Sequence, residues 1–133
     1  MFSILMSLYH KENPNALEQC FQSIWQNQTV KPSEIVLVLD GPIGSELSQC
    51  VDKWQFQIGR FLKILPLEDN VGLGKALNLG LEHCSNEWVF RMDTDDICKV
   101  DRFEKQIQFI KENPDVVLFS GQILEFNEDP LDA

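Results

Sequence analysis

The run Glu34-Ile35-Val36-Leu37-Val38-Leu39-Asp40 constrains the fold more than any other stretch of this chain. A strand with one wet face alternates apolar and polar residues. A strand that is apolar at every position has both faces covered, the situation of a parallel sheet between two helix layers. Comparable runs recur at Phe2 to Tyr9, Phe61 to Leu67 and Glu87 to Met92. Between them the apolar period lengthens to that of a helix. Leu17, Cys20, Phe21, Ile24 and Trp25 form one such stripe behind an Asn13-Pro14 start signal. Leu47, Val51 and Trp54 mark a second helix from Ser45 to about Gln57. Leu77, Leu81 and Cys84 mark a third that opens at Asn70-Val71-Gly72-Leu73-Gly74, and Phe103, Ile107 and Ile110 a fourth. Asn113-Pro114 stops that helix, and the sequence predicts a fifth strand at Val116 to Ser120 and a sixth at Gln122 to Phe126.

Strands and helices alternating in this order predict an α/β fold, a Rossmann-like three-layer α/β/α sandwich on a mainly parallel sheet with right-handed crossovers. Its first and fourth strands are expected side by side. A length of 133 residues suits a single domain. Ligands of such sheets bind beyond the carboxyl ends of the strands. That rule selects the segment after Tyr9, Asp40, and Asp93 to Asp96. Met1-Phe2-Ser3 runs straight into the first strand without a basic segment or a small-residue cleavage site, so no signal peptide is expected and a cytoplasmic location is. Cys20, Cys50, Cys84 and Cys98 form no Cys-x-x-Cys pair and are expected as reduced thiols.

The chemistry concentrates in Arg91-Met92-Asp93-Thr94-Asp95-Asp96. Carboxylates this close repel, and a hard divalent cation with oxygen ligands, Mn²⁺ or Mg²⁺, relieves the repulsion. Such an ion also neutralises the charge growing on a leaving diphosphate. The other reading is a solvated acidic turn favouring the start of the next helix. An EF-hand fails, because Ile97 stands at a ligand position and Cys98 where the sharp turn needs glycine. Asp40 closes an apolar strand, where an acid can accept from a base N–H or a ribose hydroxyl; it can equally form a turn with Gly41-Pro42. Gly72-Leu73-Gly74-Lys75 is a partial phosphate cradle whose third glycine is replaced by Leu77. Lys75 there either reaches a phosphate or stays solvated. A net charge of −10 leaves no basic surface for nucleic acid, but admits a small phosphate ligand when a metal supplies the positive charge.

Taken together, the strand ending Ser7-Leu8-Tyr9, the strand ending in Asp40, Asn70-x-Gly72 with Ala76-Leu77-Asn78-x-Gly80, and the acidic run leading to Arg102-Phe103-Glu104-x-Gln106 resemble glycosyltransferase family 2, in its bacterial O-antigen, capsule and exopolysaccharide branch. The resemblance implies a GT-A fold. It implies transfer of a sugar from a metal-bound nucleotide-diphospho-sugar, a UDP-sugar foremost, to a saccharide or lipid-linked acceptor. By the same resemblance Tyr9 and Asp40 hold the nucleobase, and Asp95 and Asp96 meet ribose and metal with Asp93 in support. Lys75 is then the basic residue of the Asn70 region. The resemblance further implies an acceptor-binding half that carries the catalytic base. The base is therefore expected outside these residues, the chain is expected to stop short of that half, and it is expected to bind donor without efficient transfer. Apolar surface uncovered there is expected to favour a homodimer, and the full-length enzyme is expected to sit peripherally at the inner face of a membrane. Two other classes share the alternating pattern. A receiver-like signalling module would need an acidic pair after the first strand, where Tyr9-His10 stands. A nucleotidyltransferase would need a glycine-rich loop there, and Tyr9 to Pro14 has no glycine.

Overall fold

The computed structural model describes residues 1–121. Strands and helices alternate as β1 (Phe2–Leu8), α1 (Pro14–Phe21), β2 (Glu34–Leu39), α2 (Ser45–Ile58), β3 (Leu62–Pro66), α3 (Leu73–Leu81), β4 (Trp88–Arg91) and α4 (Arg102–Glu112). The strands form one sheet in the order β3-β2-β1-β4, parallel throughout. β1 and β4 are neighbours as expected, with Ile4 opposite Phe90 and Leu5 opposite Arg91. The chain steps outward from β1 through β2 to β3, then returns to the other side of β1. The strand order reverses there, and a crevice opens at the carboxyl ends.

The two faces explain why β2 is apolar at every position after Glu34. Ile4, Met6, Leu8, Ile35 and Leu37 face one way, onto Leu17 and Phe21 of α1, Leu47, Val51 and Trp54 of α2, and Phe103 of α4. Leu5, Val36 and Val38 face the other way, onto Ala76 of α3. On the thicker side Trp54 stacks on Phe21 with ring centroids 5.5 Å apart, and its indole N–H donates to Glu18 Oε2 at 2.6 Å. On the thinner side α3 lies almost on the sheet. A Cβ built on Gly80 would stand 2.6 Å from both Leu5 Cδ1 and Val38 Cγ2, so only glycine permits that approach. Asn13 caps α1 by accepting from the amides of Asn15 and Ala16, with Pro14 in the first turn. The helix then widens into a π turn at Gln22–Gln26.

The amino end of the sheet is tied by a buried carboxylate. Glu34 accepts from the Ser3 hydroxyl at 2.7 Å and the Ser85 amide at 2.5 Å, and pairs with Lys63 at 2.5 Å. Burial pushes the Glu34 carboxyl up, but Lys63, Ser3 and Ser85 together overcome this and hold it at about 2.

The expected fifth strand, 116–120, is not one. Residues 116–120 join no ladder, and Val117 and Leu118 are 89% and 86% exposed. The segment is held by Phe119, which packs on Trp88, Phe90 and Phe109. β-Propensity describes fit to a pleated, half-buried surface, and a strand exists only once a partner supplies the ladder. The sixth strand, expected at 122–126, lies outside the described residues. Among the described residues no helix is long and apolar enough to cross a membrane.

Candidate functional site

Strands β1, β2 and β4 end on one cleft of about 450 Å³. Its walls come from Ser7 in β1, Tyr9 and Glu12 after it, Asp40 after β2, Asn70 and Gly72 before α3 and Leu73 at its start, and Asp93, Thr94 and Asp95 after β4. Of the residues singled out in the sequence, Tyr9, Asp40, Asp93 and Asp95 thus share one cavity. Asp96 joins them through its own cluster, since one carboxylate oxygen each from Asp93, Asp95 and Asp96 lie within 4.8 Å of one another.

The acidic turn is built by the sheet. The Met92 amide donates to the Leu5 carbonyl, which carries the β1–β4 pairing one residue past β4, and the Asp96 amide closes on the Asp93 carbonyl at 3.1 Å. Thr94 is buried, and its hydroxyl donates to Glu12 Oε2 at 3.1 Å. The three aspartates stay exposed. Arg91 reaches Asp93 at 3.3 Å. Burial raises the Asp96 carboxyl, Asp93 and Asp95 raise it further, and Arg102 and Arg91 offset only part of this. Glu12 is also raised, by burial first and then by Asp95 and Asp93, against the Thr94 hydrogen bond. The turn does not cap α4. That helix starts at Arg102 with Asp101 in the cap position, and residues 97–101 separate it from the carboxylates. The turn therefore does not serve as the cap of α4, and it presents a cluster of exposed hard oxygen donors to solvent.

Asp40 is treated in the opposite way. Its own amide donates to Leu8 O at 2.7 Å, one residue beyond the last β1–β2 pair, and the residue is 3% exposed. Its carboxylate accepts the amides of Val71 at 2.7 Å and Gly72 at 3.2 Å. Tyr9 stands partly exposed, edge-on to His10 at 5.7 Å between ring centroids.

Lys75 does not join the cleft. It is exposed in the first turn of α3 and forms no part of the cleft wall. Helical periodicity places it on α3 but cannot say whether that side of the helix turns to a cavity. What α3 brings instead is its N-terminus: Gly72, at φ +95°, occupies the cap position and provides no side-chain cap to the amides of the first turn. Such amides are ready partners for an anion.

Glu12 was missed by sequence reasoning. Its only signal is its place after β1, because a loop contact such as Glu12 to Thr94 leaves no periodic trace. Cys20, Cys50, Cys84 and Cys98 are all free thiols, Cys20 and Cys98 buried, with burial raising both thiols.

Comparison with known proteins gives the same direction. The sequence model of Glycosyl transferase family 2 matches residues 3–130. The chain is 52% identical over 128 residues to the amylovoran biosynthesis glycosyltransferase AmsE of Erwinia amylovora, covering 96% of this chain and 47% of that protein. It is 41% identical over 131 residues to the UDP-Gal:alpha-D-GlcNAc-diphosphoundecaprenol beta-1,3-galactosyltransferase of Escherichia coli, covering 98% and 46%. The crystal structure of S. aureus TarS 1–349 in complex with UDP-GlcNAc superposes with a TM-score of 0.72 at 27% identity, over 85% of this chain and 32% of that one. The chain thus spans about half the length of the curated relatives it matches.

Proposed function

Because the chain belongs to glycosyl transferase family 2, we propose that its cleft binds a nucleotide-diphospho-sugar whose sugar the enzyme passes to a saccharide or lipid-linked acceptor. The observation that carries this reading is the single cleft in which Tyr9, Asp40 and the N-terminus of α3 face a cluster of exposed carboxylates. Tyr9 and Asp40 frame the nucleoside end. Asp93 and Asp95 lie toward ribose and diphosphate, and Asp95 and Asp96 hold Mn²⁺ or Mg²⁺. The donor set fits such a metal: hard oxygens, close enough to share one ion, on an exposed turn open to phosphate oxygens. Bound there, the ion would neutralise charge on the leaving diphosphate. Uridine as the base is supported by the UDP-Gal donor of the E. coli relative and by the UDP-GlcNAc bound to TarS.

The catalytic base lies outside the cleft residues, in a part of the enzyme that approaches the acceptor. The diphosphoundecaprenol acceptor in the name of the E. coli relative supports a lipid-linked acceptor; a cytoplasmic location with peripheral attachment of the full enzyme to a membrane belongs to the same proposal. The exposed Val117 and Leu118 mark where self-association into a homodimer would bury apolar surface.

Calorimetric titration with UDP, GDP, dTDP and ADP, each with and without Mn²⁺, tests the reading. UDP binding that requires Mn²⁺ is the expected result. No binding of any nucleotide would overturn the donor site, and equal binding without metal would overturn the role of Asp95 and Asp96.

A further inference from the structure

A glutamine outside the cleft wall holds the chain that leaves the acidic turn. Between Asp96 and α4 that chain joins no helix or strand, so its place must be set from elsewhere. It is set by the end of α1 and the residues after it. The Cys98 amide donates to the Ser23 hydroxyl at 3.0 Å, and that hydroxyl donates to the Cys20 carbonyl at 2.8 Å. The Thr29 amide donates to the Val100 carbonyl at 2.9 Å. Gln28 Nε2 donates to the carbonyls of Lys99 at 2.6 Å and Ser23 at 2.8 Å, and its Oε1 accepts the Phe103 amide at 3.3 Å. Asp101, in the cap position of α4, makes no side-chain cap bond. Gln28 thus caps the first turn of α4 from 75 positions away. Gln28 is 6% exposed, and an amide so buried is kept only where its donors and acceptor are paired, as they are here.

We propose that Gln28, with Ser23 beside it, is a positioning residue for Asp95 and Asp96: it fixes the 98–103 segment, and so where their carboxylates stand when they take a divalent cation. This rests on the metal reading of the acidic turn. Upstream, Asp93 follows directly on the β1–β4 pairing, which the Met92 amide extends to the Leu5 carbonyl. Downstream, Asp96 stands two residues before Cys98, where the Ser23 hydroxyl takes hold. A hard cation tolerates misplaced ligands poorly. Loosening the downstream anchor therefore costs metal affinity, although neither Gln28 nor Ser23 lines the cleft.

The test compares Gln28→Met and Ser23→Ala with Val51→Ala, a core variant in α2 far along the chain from the turn. Gln28→Met keeps the length of the side chain and removes its amide. Ser23→Ala is the gentler change should Gln28→Met fail to fold. Hydrogen exchange without metal reads the anchor: protection is expected to fall at the Phe103 amide in Gln28→Met and at the Cys98 amide in Ser23→Ala. Titration with Mn²⁺ alone, following the free ion by electron paramagnetic resonance, reads the site. Half-saturation is expected to need about tenfold more Mn²⁺ in Gln28→Met, the usual cost of losing a group that orients metal ligands from behind. Ser23→Ala is expected to shift it the same way by less, and Val51→Ala to leave it unmoved even where urea shows an equal loss of stability. Unchanged exchange at both amides overturns the proposal. So does lost protection with unchanged Mn²⁺ uptake. An equal rise in Val51→Ala also overturns it, because the effect would then be one of general stability. If the wild-type protein takes up no Mn²⁺, the metal reading itself fails and this proposal with it; wild-type uptake with unmoved variants overturns this proposal alone.

Discussion

Asp40 and the Asp93–Asp96 turn stand at the same edge of one sheet, and the fold handles their charge in opposite ways. Asp40 is buried and its oxygens are occupied by amides of the protein's own chain. The aspartates after β4 are exposed, crowded, and answered by Arg91 and Arg102 only in part. A buried acid must find its partners inside, because an unpaired charge there is too costly to keep. An acid left at the surface with unmet repulsion is available to a partner from outside. The difference separates a carboxylate whose partners are internal from carboxylates that remain available to a partner from outside. Glu34, at the far end of the sheet, extends the first kind: buried, and satisfied by Lys63, Ser3 and Ser85.

The largest effect is expected where an internal acid loses its charge. The Glu34 carboxyl is held at about 2 against an ordinary value of 4.5. Its folded value is depressed, so its contribution is complete above the unfolded value and is lost as pH falls from 4.5 toward 2. That contribution is at most about 3 kcal/mol. Urea unfolding of Glu34→Gln should therefore give a flatter stability profile than wild type across this window; parallel profiles would refute the pairing. Next comes Asp40→Ala, which strips an acceptor from two loop amides and should lower unfolding free energy by about 2–3 kcal/mol. An unshifted urea midpoint would put Asp40 in the same class as the exposed aspartates and dissolve the comparison.

The exposed cluster should respond with the opposite sign in different assays. Asp95→Asn or Asp96→Asn is expected to weaken Mn²⁺-dependent UDP binding by about 1–3 kcal/mol, read by calorimetry. Full-strength binding in both variants would leave the turn without a ligand-receiving role. Without metal, Asp96→Asn should leave thermal stability unchanged or raise it by up to about 0.5 kcal/mol, the smallest effect, because it removes repulsion and no internal bond. A clear loss of metal-free stability would show that the turn is held together by its own carboxylates.

Much of this comparison was legible in the sequence. Apolar runs such as Ile35 to Leu39 announce burial on both faces, and the carboxyl-end rule then gathers Tyr9, Asp40 and Asp93–Asp96. What a residue's neighbours do was not legible. The choice at Asp40 between turn former and ligand acceptor depends on a loop more than thirty residues away folding back over it. The strand expected at 116–120 needed a ladder that local propensity cannot supply. Lys75 was left between phosphate and solvent, and Glu12 passed unnoticed, for one reason: periodicity places a residue on an element, or on none, but does not say which cavity that element borders.

Gly80 sits at the end of α3 remote from the cleft, yet it sets the clearance between that helix and the sheet. A rigid rod shimmed at one end tilts at the other. A single methyl group at Gly80 would push on Leu5 and Val38 and swing the first turn of α3, with Leu73, relative to the fixed strand ends. The width of the cleft is thus coupled to a position outside its wall, and the missing side chain acts as a spacer of zero thickness.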